Sequence, residues 1–270
     1  MTRANVRRCF VFSLLFLTVG LHICLGEEPI HKEWQIGDTW KVRTWLAISK
    51  HTARENYTIR KGKAIDVEFE VVGEKSLADF ATPYLPIEIP ERAKYKKKIR
   101  DGIIKESEIR CFEIRVLFPE EETGFRQRYL LYFRKDTGSL IRVLNNSLRD
   151  DGSIINQVTD CPIDPNEPAI TGEIGSLVPF DWAVFGRKEL KHEKEGFSLE
   201  QEVKEKKVKD AEGKEYSEYD VVISKKVKKG EEEVELERCE QKWRKGDPWW
   251  SEAKRYKDGE LITEAVLVRE

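Results

Sequence analysis

The feature that most constrains this chain is a period-two alternation of apolar and polar side chains over most of its length. The clearest run is Ile65 to Val71, in which four apolar residues alternate with three acidic ones. A second run from Phe112 to Phe118 has the same pattern and ends at a proline. Such alternation places apolar side chains on one face of a strand and polar ones on the other. The sequence therefore predicts a mainly β protein, built on a large antiparallel sheet with little helix.

Turn signals separate the alternating runs. Lys135-Asp136-Thr137-Gly138 lies between the runs 126–134 and 139–144, and its glycine can adopt the positive φ that tight turns require. We therefore predict a β-hairpin at this place.

A change of composition follows the hairpin. After a short predicted strand at 153–159, the chain has Pro162, Pro165, Pro168 and Pro179, which predict a long loop at about 160–180. Residues 187–195 are polar all round, so they form at most one or two exposed helical turns.

From Leu199 onward the predicted strands are unusually charged. Lys or Glu occupies nearly every second position, and apolar residues are sparse. Strands of this kind can bury only one face. Lys257-Asp258-Gly259-Glu260 predicts a turn, and residues 261–268 predict the last strand.

One short pattern, W-x-x-G-D-x-W, occurs at Trp34–Trp40 and again at Trp243–Trp249. We interpret both copies as turns at strand entries whose indole rings fill the core, because large aromatic side chains usually act by burial. The alternative is an aromatic rim at the open end of a cavity. Matching turns would let the first and last strands lie together, which favours one sheet system.

The N-terminal 26 residues predict a secretory signal peptide. Three arginines and no acid precede an apolar stretch of 12 residues, Phe10–Leu21, which is short for a membrane span. Cleavage after Gly26 would leave residues 27–270 as a single antiparallel β domain, exported to the periplasm or beyond, with no membrane span. An uncleaved anchor over Cys9–Gly26 and lipidation at Cys24 are the alternatives.

Charge and cysteine content exclude several classes of protein. Forty-eight basic and 50 acidic residues give a net charge of −2, which argues against a nucleic-acid partner.

After removal of the signal peptide the cysteines are Cys111, Cys161 and Cys239, so at most one internal disulfide can form. Spacing does not choose among the three pairs, and three buried thiols without a bond are an equal alternative.

Motifs for catalysis or cofactor binding are absent from the sequence. The histidines lack metal-ligand spacing, and neither a nucleophile elbow nor a phosphate-binding glycine loop occurs. We therefore expect no metal, no cofactor and no catalytic residue, and we lean away from an enzyme. The remaining enzyme hypothesis is a glycan hydrolase with Asp160 and Asp164 as paired carboxylates. Asp160, Asp164, Asn166 and Glu167 are also a weak calcium candidate.

A cluster of basic residues lies between Arg92 and Arg100, with Tyr95 inside it. A run of this kind could contact an anionic membrane surface or a polysaccharide. The more ordinary interpretation is a solvated loop, and we adopt it.

The hairpin segment from Tyr132 to Val143 resembles exported bacterial carrier proteins of the LolA and LolB type, in which a D-x-x-T-G-like turn joins two such strands. The resemblance covers about a dozen residues. It implies an antiparallel sheet curled into a half-barrel, open on one side, that shelters an acyl chain or a lipoprotein. Apart from the resemblance, the strongly curved sheet that we predict could be a half-barrel or a sandwich. It implies no catalytic residues.

Two functional hypotheses follow. The first is an exported binding protein whose curved sheet holds a hydrophobic ligand, with Trp40, Trp45, Trp249 and Trp250 at the cavity. The second is a ligand-free structural or interaction domain of the cell envelope, in which the tryptophans are core residues. A carbohydrate-binding version of the first hypothesis would use the same rings on a flat sheet.

Overall fold

The structure is a computed structural model that describes residues 33–49, 59–85, 89–119, 128–148, 151–161, 189–194, 197–229 and 232–269. These residues form twelve β-strands, one α-helix and two short 3₁₀ turns. In chain order the strands and the helix are β1 (Thr39–Ser49), β2 (Ile59–Ser76), α1 (Ile89–Arg100), β3 (Arg110–Leu117), β4 (Arg128–Arg134), β5 (Leu140–Asn145), β6 (Gln157–Asp160), β7 (Glu189–Lys194), β8 (Phe197–Lys209), β9 (Glu215–Lys229), β10 (Glu232–Arg244), β11 (Glu252–Lys257) and β12 (Glu260–Val268). The predicted signal peptide and most of the Pro-rich segment lie outside the described residues.

All twelve strands belong to one antiparallel sheet, in the order β6-β5-β4-β3-β2-β1-β12-β11-β10-β9-β8-β7. The order consists of two six-stranded meanders, β1–β6 and β7–β12. Pairing of β1 with β12, for example Thr44 opposite Ala265, joins the two meanders. The sheet is open, with β6 and β7 as its edges. The prediction that the first and last strands lie together is confirmed, and so is the predicted mainly β fold.

The sheet is strongly curved. Phe133 in β4 and Trp243 in β10 are six strand intervals apart, about 29 Å in a flat sheet. Trp249, in the turn after β10, nevertheless contacts both rings, with centroids 6.0 Å from Phe133 and 6.2 Å from Trp243. One side chain can bridge these strands only because the sheet curls around it.

The concave face carries the main core. Strand register brings apolar side chains opposite one another across neighbouring strands, as in the row Trp40, Phe69 and Val116. Rows of this kind continue through β3, β4 and β5 on one side and through β12, β11 and β10 on the other. Almost all of these apolar side chains are buried.

A second core covers the convex face of β3, β4 and β5. Its buried members come from these strands, from the segment after β2 and from α1: Leu77, Phe80, Tyr84, Tyr95, Cys111, Leu130, Tyr132 and Ile141. The N-terminal meander therefore has packed apolar layers on both of its faces here.

The basic segment that we predicted as a solvated loop is largely helix α1. Lysine and arginine are good helix formers, and no glycine interrupts the helix before Gly102. Gly102, at φ +70°, ends it: its N–H donates to the Ile99 carbonyl at 3.0 Å, and the Ile103 N–H donates to the Lys98 carbonyl at 2.9 Å. This is a Schellman motif, which sequence periodicity alone does not reveal.

Two other local predictions are corrected. Residues 189–194 are strand β7 and not helical turns, because pairing with β8 satisfies their backbone. The strand predicted at 153–159 is displaced to Gln157–Asp160, and Ile154 only forms an isolated bridge with Leu148. The predicted hairpin is confirmed as β4 and β5, with Gly138 at φ +68°.

The described cysteines, Cys111, Cys161 and Cys239, are all buried, and no disulfide joins them. The alternative of three buried thiols is confirmed. Burial raises the pKa of both Cys111 and Cys161 to about 12, which makes these thiols poor nucleophiles.

Candidate functional site

The two copies of W-x-x-G-D-x-W form the same turn. Gly37 and Gly246 have φ of 93° and 91°, a conformation that favours glycine. In each copy the aspartate N–H donates to the carbonyl three residues earlier, at 3.0 Å for Asp38 and 3.1 Å for Asp247. The repeated sequence therefore encodes a repeated backbone shape, and each turn returns its two rings to one side.

The rings of the two turns pack against each other. Centroids are 6.0 Å apart for Trp34 and Trp40, 6.0 Å for Trp34 and Trp249, and 5.4 Å for Trp40 and Trp249. The Trp34 indole N–H also donates to the Pro248 carbonyl at 2.8 Å, which ties one turn to the other. All of these rings, with Trp243, are at most 6% exposed. The interpretation of both copies as core-filling turns is confirmed.

The structure brings together three of the four predicted ligand-binding residues. Trp40, Trp249 and Trp250 belong to the concave core, and Trp249 contacts both of the others. Trp45 is half-buried and lies on the convex face. It directly follows Thr44, which is buried on the concave face, and successive side chains of a strand point to opposite faces. Ligand binding by these four residues stays a prediction.

Trp40 and Trp250 are buried indoles with an unsatisfied donor. The N–H groups of Trp40 and Trp250 have no hydrogen-bond partner in the described part of the protein. A buried donor without a partner is costly, so such a group marks a place where an acceptor would be favourable.

A step in the sheet lies next to Trp40. Strand β2 is 18 residues long, and it pairs with β1 over Ile59–Glu70 but with β3 over Glu68–Ser76. Only residues 68–70 of β2 pair with both β1 and β3. The two neighbouring strands are therefore offset from each other along β2, and we call this offset the step.

The step opens a cleft of about 500 Å³, a volume typical of small-molecule sites. Residues 68–70, the overlap itself, are part of its wall. Its apolar lining comes from both meanders and from the second tryptophan turn: Trp40, Phe69, Leu117, Pro248, Leu267 and Val268.

The charges around the cleft are balanced. Three cations and three acids line it, and they are paired: Lys41 with Glu68, Arg115 with Glu70 and Arg269 with Asp247. The Lys41 and Arg269 pairs are 3.2 Å and 2.7 Å long. A lining without net charge suits a neutral or zwitterionic group better than an ion of either sign.

Sequence reasoning found Trp40 but missed the other cleft residues. Each of them is an ordinary alternating strand or turn residue, and only the offset between β1 and β3 along β2 brings them together. The excess length of the β2 run over its neighbours is a signal that could have indicated the step.

The carboxylate proposed for glycan hydrolysis has a structural role. Asp160 is 6% exposed and binds Arg142 through two hydrogen bonds of 2.6 and 2.9 Å, and it also accepts one from the Leu85 N–H at 2.7 Å. Arg142 donates further to the Thr82 and Pro83 carbonyls. The pair fastens the segment after β2 to β5 and β6. Asp164 lies outside the described residues, so the paired-carboxylate hypothesis has no geometric support.

Among the residues that the structure describes, no group of three or more His, Cys, Asp or Glu side chains could hold a metal ion. In the same residues, α1 is too short and too polar to cross a membrane, and no other α-helix is present.

The chain has a distant likeness to a protein of known structure. Neither a protein-family model nor a curated protein matches the sequence. A solved structure of a "putative lipoprotein" from Parabacteroides distasonis is similar over 88% of this chain and 96% of its own, at 10% identity and a TM-score of 0.33. With so low a TM-score the likeness supports no inference about fold or function.

Proposed function

We propose that this protein is an exported, non-enzymatic binding protein that holds an amphiphilic ligand in the cleft at the step in the sheet. The observation that carries the proposal is the lining of this cleft, where six apolar residues adjoin three balanced ion pairs. The ligand class is a lipid with an acyl chain and a zwitterionic head group.

The site suits such a ligand in two ways. Trp40 and Phe69 provide an aromatic wall for the acyl chain, since apolar surface is the main source of affinity in small-molecule sites. The ion pairs at the margin, Lys41 with Glu68 at 3.2 Å and Arg269 with Asp247 at 2.7 Å, offer both signs of charge to a zwitterionic head group.

The ligand site that we propose is this cleft and not the central cavity expected from the resemblance to LolA- and LolB-type carriers. The centre of the concave face is filled by the tryptophan rings, so a ligand of any size would sit at the step and not inside the curl. This location also disfavours carbohydrate binding, which needs exposed flat rings.

Native mass spectrometry with palmitoyl-lysophosphatidylethanolamine tests the proposal, with palmitate as the anionic comparison. We expect a one-to-one complex with the zwitterionic lipid and weaker binding of palmitate. Val268→Glu adds a charge to the apolar wall and is expected to lower the affinity at least tenfold. Trp40→Phe removes the indole N–H and part of the aromatic wall and is expected to lower the affinity about three- to tenfold.

The matched control is Ile154→Glu, the same kind of change at a residue that is 67% exposed and outside the cleft. It is expected to bind like the wild type. Absence of any complex, or equal binding by the Val268→Glu protein, would contradict the proposal.

The second candidate is a ligand-free interaction domain of the cell envelope. The complete burial of Trp249 and Trp250 favours it, because these residues then serve the core alone. A protein that stays free of ligand with every lipid tested would support this candidate.

Export rests on residues 1–26, whose charge and apolar pattern are those of a signal peptide. Intact mass of the protein recovered from the expressing cells tests it. We expect an N-terminus at Glu27. A mass that includes Met1 to Gly26 would favour the anchored alternative, and an acylated Cys24 would favour the lipidated one.

A further inference from the structure

Helix α1 and the turn after it form a strongly cationic surface. Residues 89–105 have seven cations and two acids, in a chain whose net charge is −2. Lys94, Lys96 and Lys97 are exposed, and no described acid forms an ion pair with any of them. The cation cluster is therefore available to an external partner.

The inner side of the helix is fixed in the second core, so it cannot turn over or insert. Tyr95 is 4% exposed, packs against Tyr84 at 4.9 Å and donates to a Glu106 carboxylate oxygen at 2.9 Å. Burial, together with the Glu106 hydrogen bond, raises the pKa of Tyr95 above its usual value, so this donor stays protonated. The lysines are consequently held on a rigid support facing outward.

An exposed isoleucine adjoins the cations. Ile103 directly follows Gly102, the glycine that ends the helix. Its side chain is 71% exposed, more than any other large apolar residue described. Its backbone N–H is held by the Lys98 carbonyl at 2.9 Å. An apolar side chain presented next to lysines matches the boundary between charged head groups and acyl chains, whereas a sulfated or acidic polysaccharide offers it no apolar surface.

We propose that α1, together with Ile103, is a docking surface for an anionic lipid bilayer. The lysines lie against the head groups and Ile103 enters the boundary region. Each lysine held near an anionic surface contributes about 1 kcal/mol, a factor of about five in binding. The proposal does not depend on the cleft, because no residue of α1 lines it.

Co-sedimentation with vesicles tests it, using the protein as recovered from the expressing cells. Vesicles of phosphatidylcholine with 30% phosphatidylglycerol are compared with pure phosphatidylcholine at about 0.1 M salt, where charges act over about 10 Å. We expect binding only to the anionic vesicles and its loss at 1 M salt. Lys94→Gln/Lys96→Gln/Lys97→Gln is expected to weaken partitioning about 100-fold, and Ile103→Ser severalfold.

The matched control is Lys209→Gln/Lys214→Gln/Lys228→Gln, which removes the same charge from three exposed lysines elsewhere. It is expected to partition within twofold of the wild type. Equal loss in this control, or no binding to anionic vesicles, would overturn the proposal. So would binding to dextran sulfate that depends on the three helix lysines when vesicles do not bind. The cleft variant Val268→Glu is expected to dock normally, so the two proposals fail separately.

Discussion

The two meanders differ in how the convex face of the sheet is treated. Both bury their concave face, but the N-terminal meander covers the convex face of β3, β4 and β5 with helix α1 and a second apolar core, whereas the convex face of the C-terminal meander carries charged side chains. There, pairs such as Lys242 with Glu252, at 2.9 Å, and Lys206 with Asp220 cross between strands. A sheet face can thus be made compatible with water either by a further layer or by charge, and the two solutions differ in what they contribute to stability.

The largest effect is expected from removing a side chain that both meanders contact. Trp249 contacts rings of both meanders and is fully buried, so Trp249→Ala is expected to lower the free energy of unfolding by about 3–5 kcal/mol. Trp45→Ala, at a half-buried ring on the other face, is expected to cost about 1 kcal/mol. Urea unfolding followed by circular dichroism measures both. Similar losses in the two variants would mean that Trp249 does not join the meanders.

A second prediction tests the extra layer of the N-terminal meander. Asp160→Asn leaves the Arg142 guanidinium buried without its anion, and we expect a loss of about 3 kcal/mol. Asp66→Asn is the matched control, because Asp66 binds Arg43 with the same two-bond geometry on an exposed surface, at 2.7 and 2.8 Å. There the expected loss is below about 1 kcal/mol. Equal losses would show that burial of the pair does not matter.

The third and smallest effect concerns a carboxylate of the C-terminal meander. Burial acts to raise the pKa of Glu237, but the 2.6 Å hydrogen bond from Arg255 and the charges of Arg255, Lys225 and Lys257 hold that pKa below its usual value of 4.5. A lowered pKa in the folded state stabilises the protein above about pH 4.5, and this contribution disappears as the pH falls further.

Glu237→Gln is therefore expected to cost about 1–2 kcal/mol at pH 7 and progressively less towards pH 3. Urea titrations at several pH values measure this difference. Glu252→Gln, at an exposed ion pair, is expected to stay within about 0.5 kcal/mol of the wild type. A Glu237→Gln deficit that persists at pH 3 would contradict the assignment.

Much of the fold could be predicted because strand alternation is a local property. The runs at Ile65–Val71 and Phe112–Phe118 correspond to β2 and β3, and the two tryptophan turns indicated the pairing of β1 with β12. Helix α1 was missed because its apolar residues are few and its burial depends on Tyr84 and other residues outside the helix. Its residues favour a helix individually, but packing against the second core, which the sequence pattern does not show, stabilises it.

The candidate site was much less predictable. Trp40 was found from its motif, but the cleft exists only because β1 and β3 are offset along β2, and the sequence shows no more of this offset than the unusual length of the β2 run. The Arg142 and Asp160 pair was invisible for the same reason, since the two residues belong to different strands of an edge hairpin. Sequence reasoning therefore found the aromatic core and missed the opening beside it.

The pairing of β1 with β12 has a consequence for folding during synthesis. Ribosomes make β1 first and β12 last of these strands, so one edge of β1 stays without its partner until residues 260–268 have emerged. The pairing at the middle of the finished sheet is thus the last to form. It joins residues more than 200 positions apart in sequence. Long-range pairing of this kind folds slowly and leaves a strand edge open to other chains, so we expect this protein to depend on protection while it is being made.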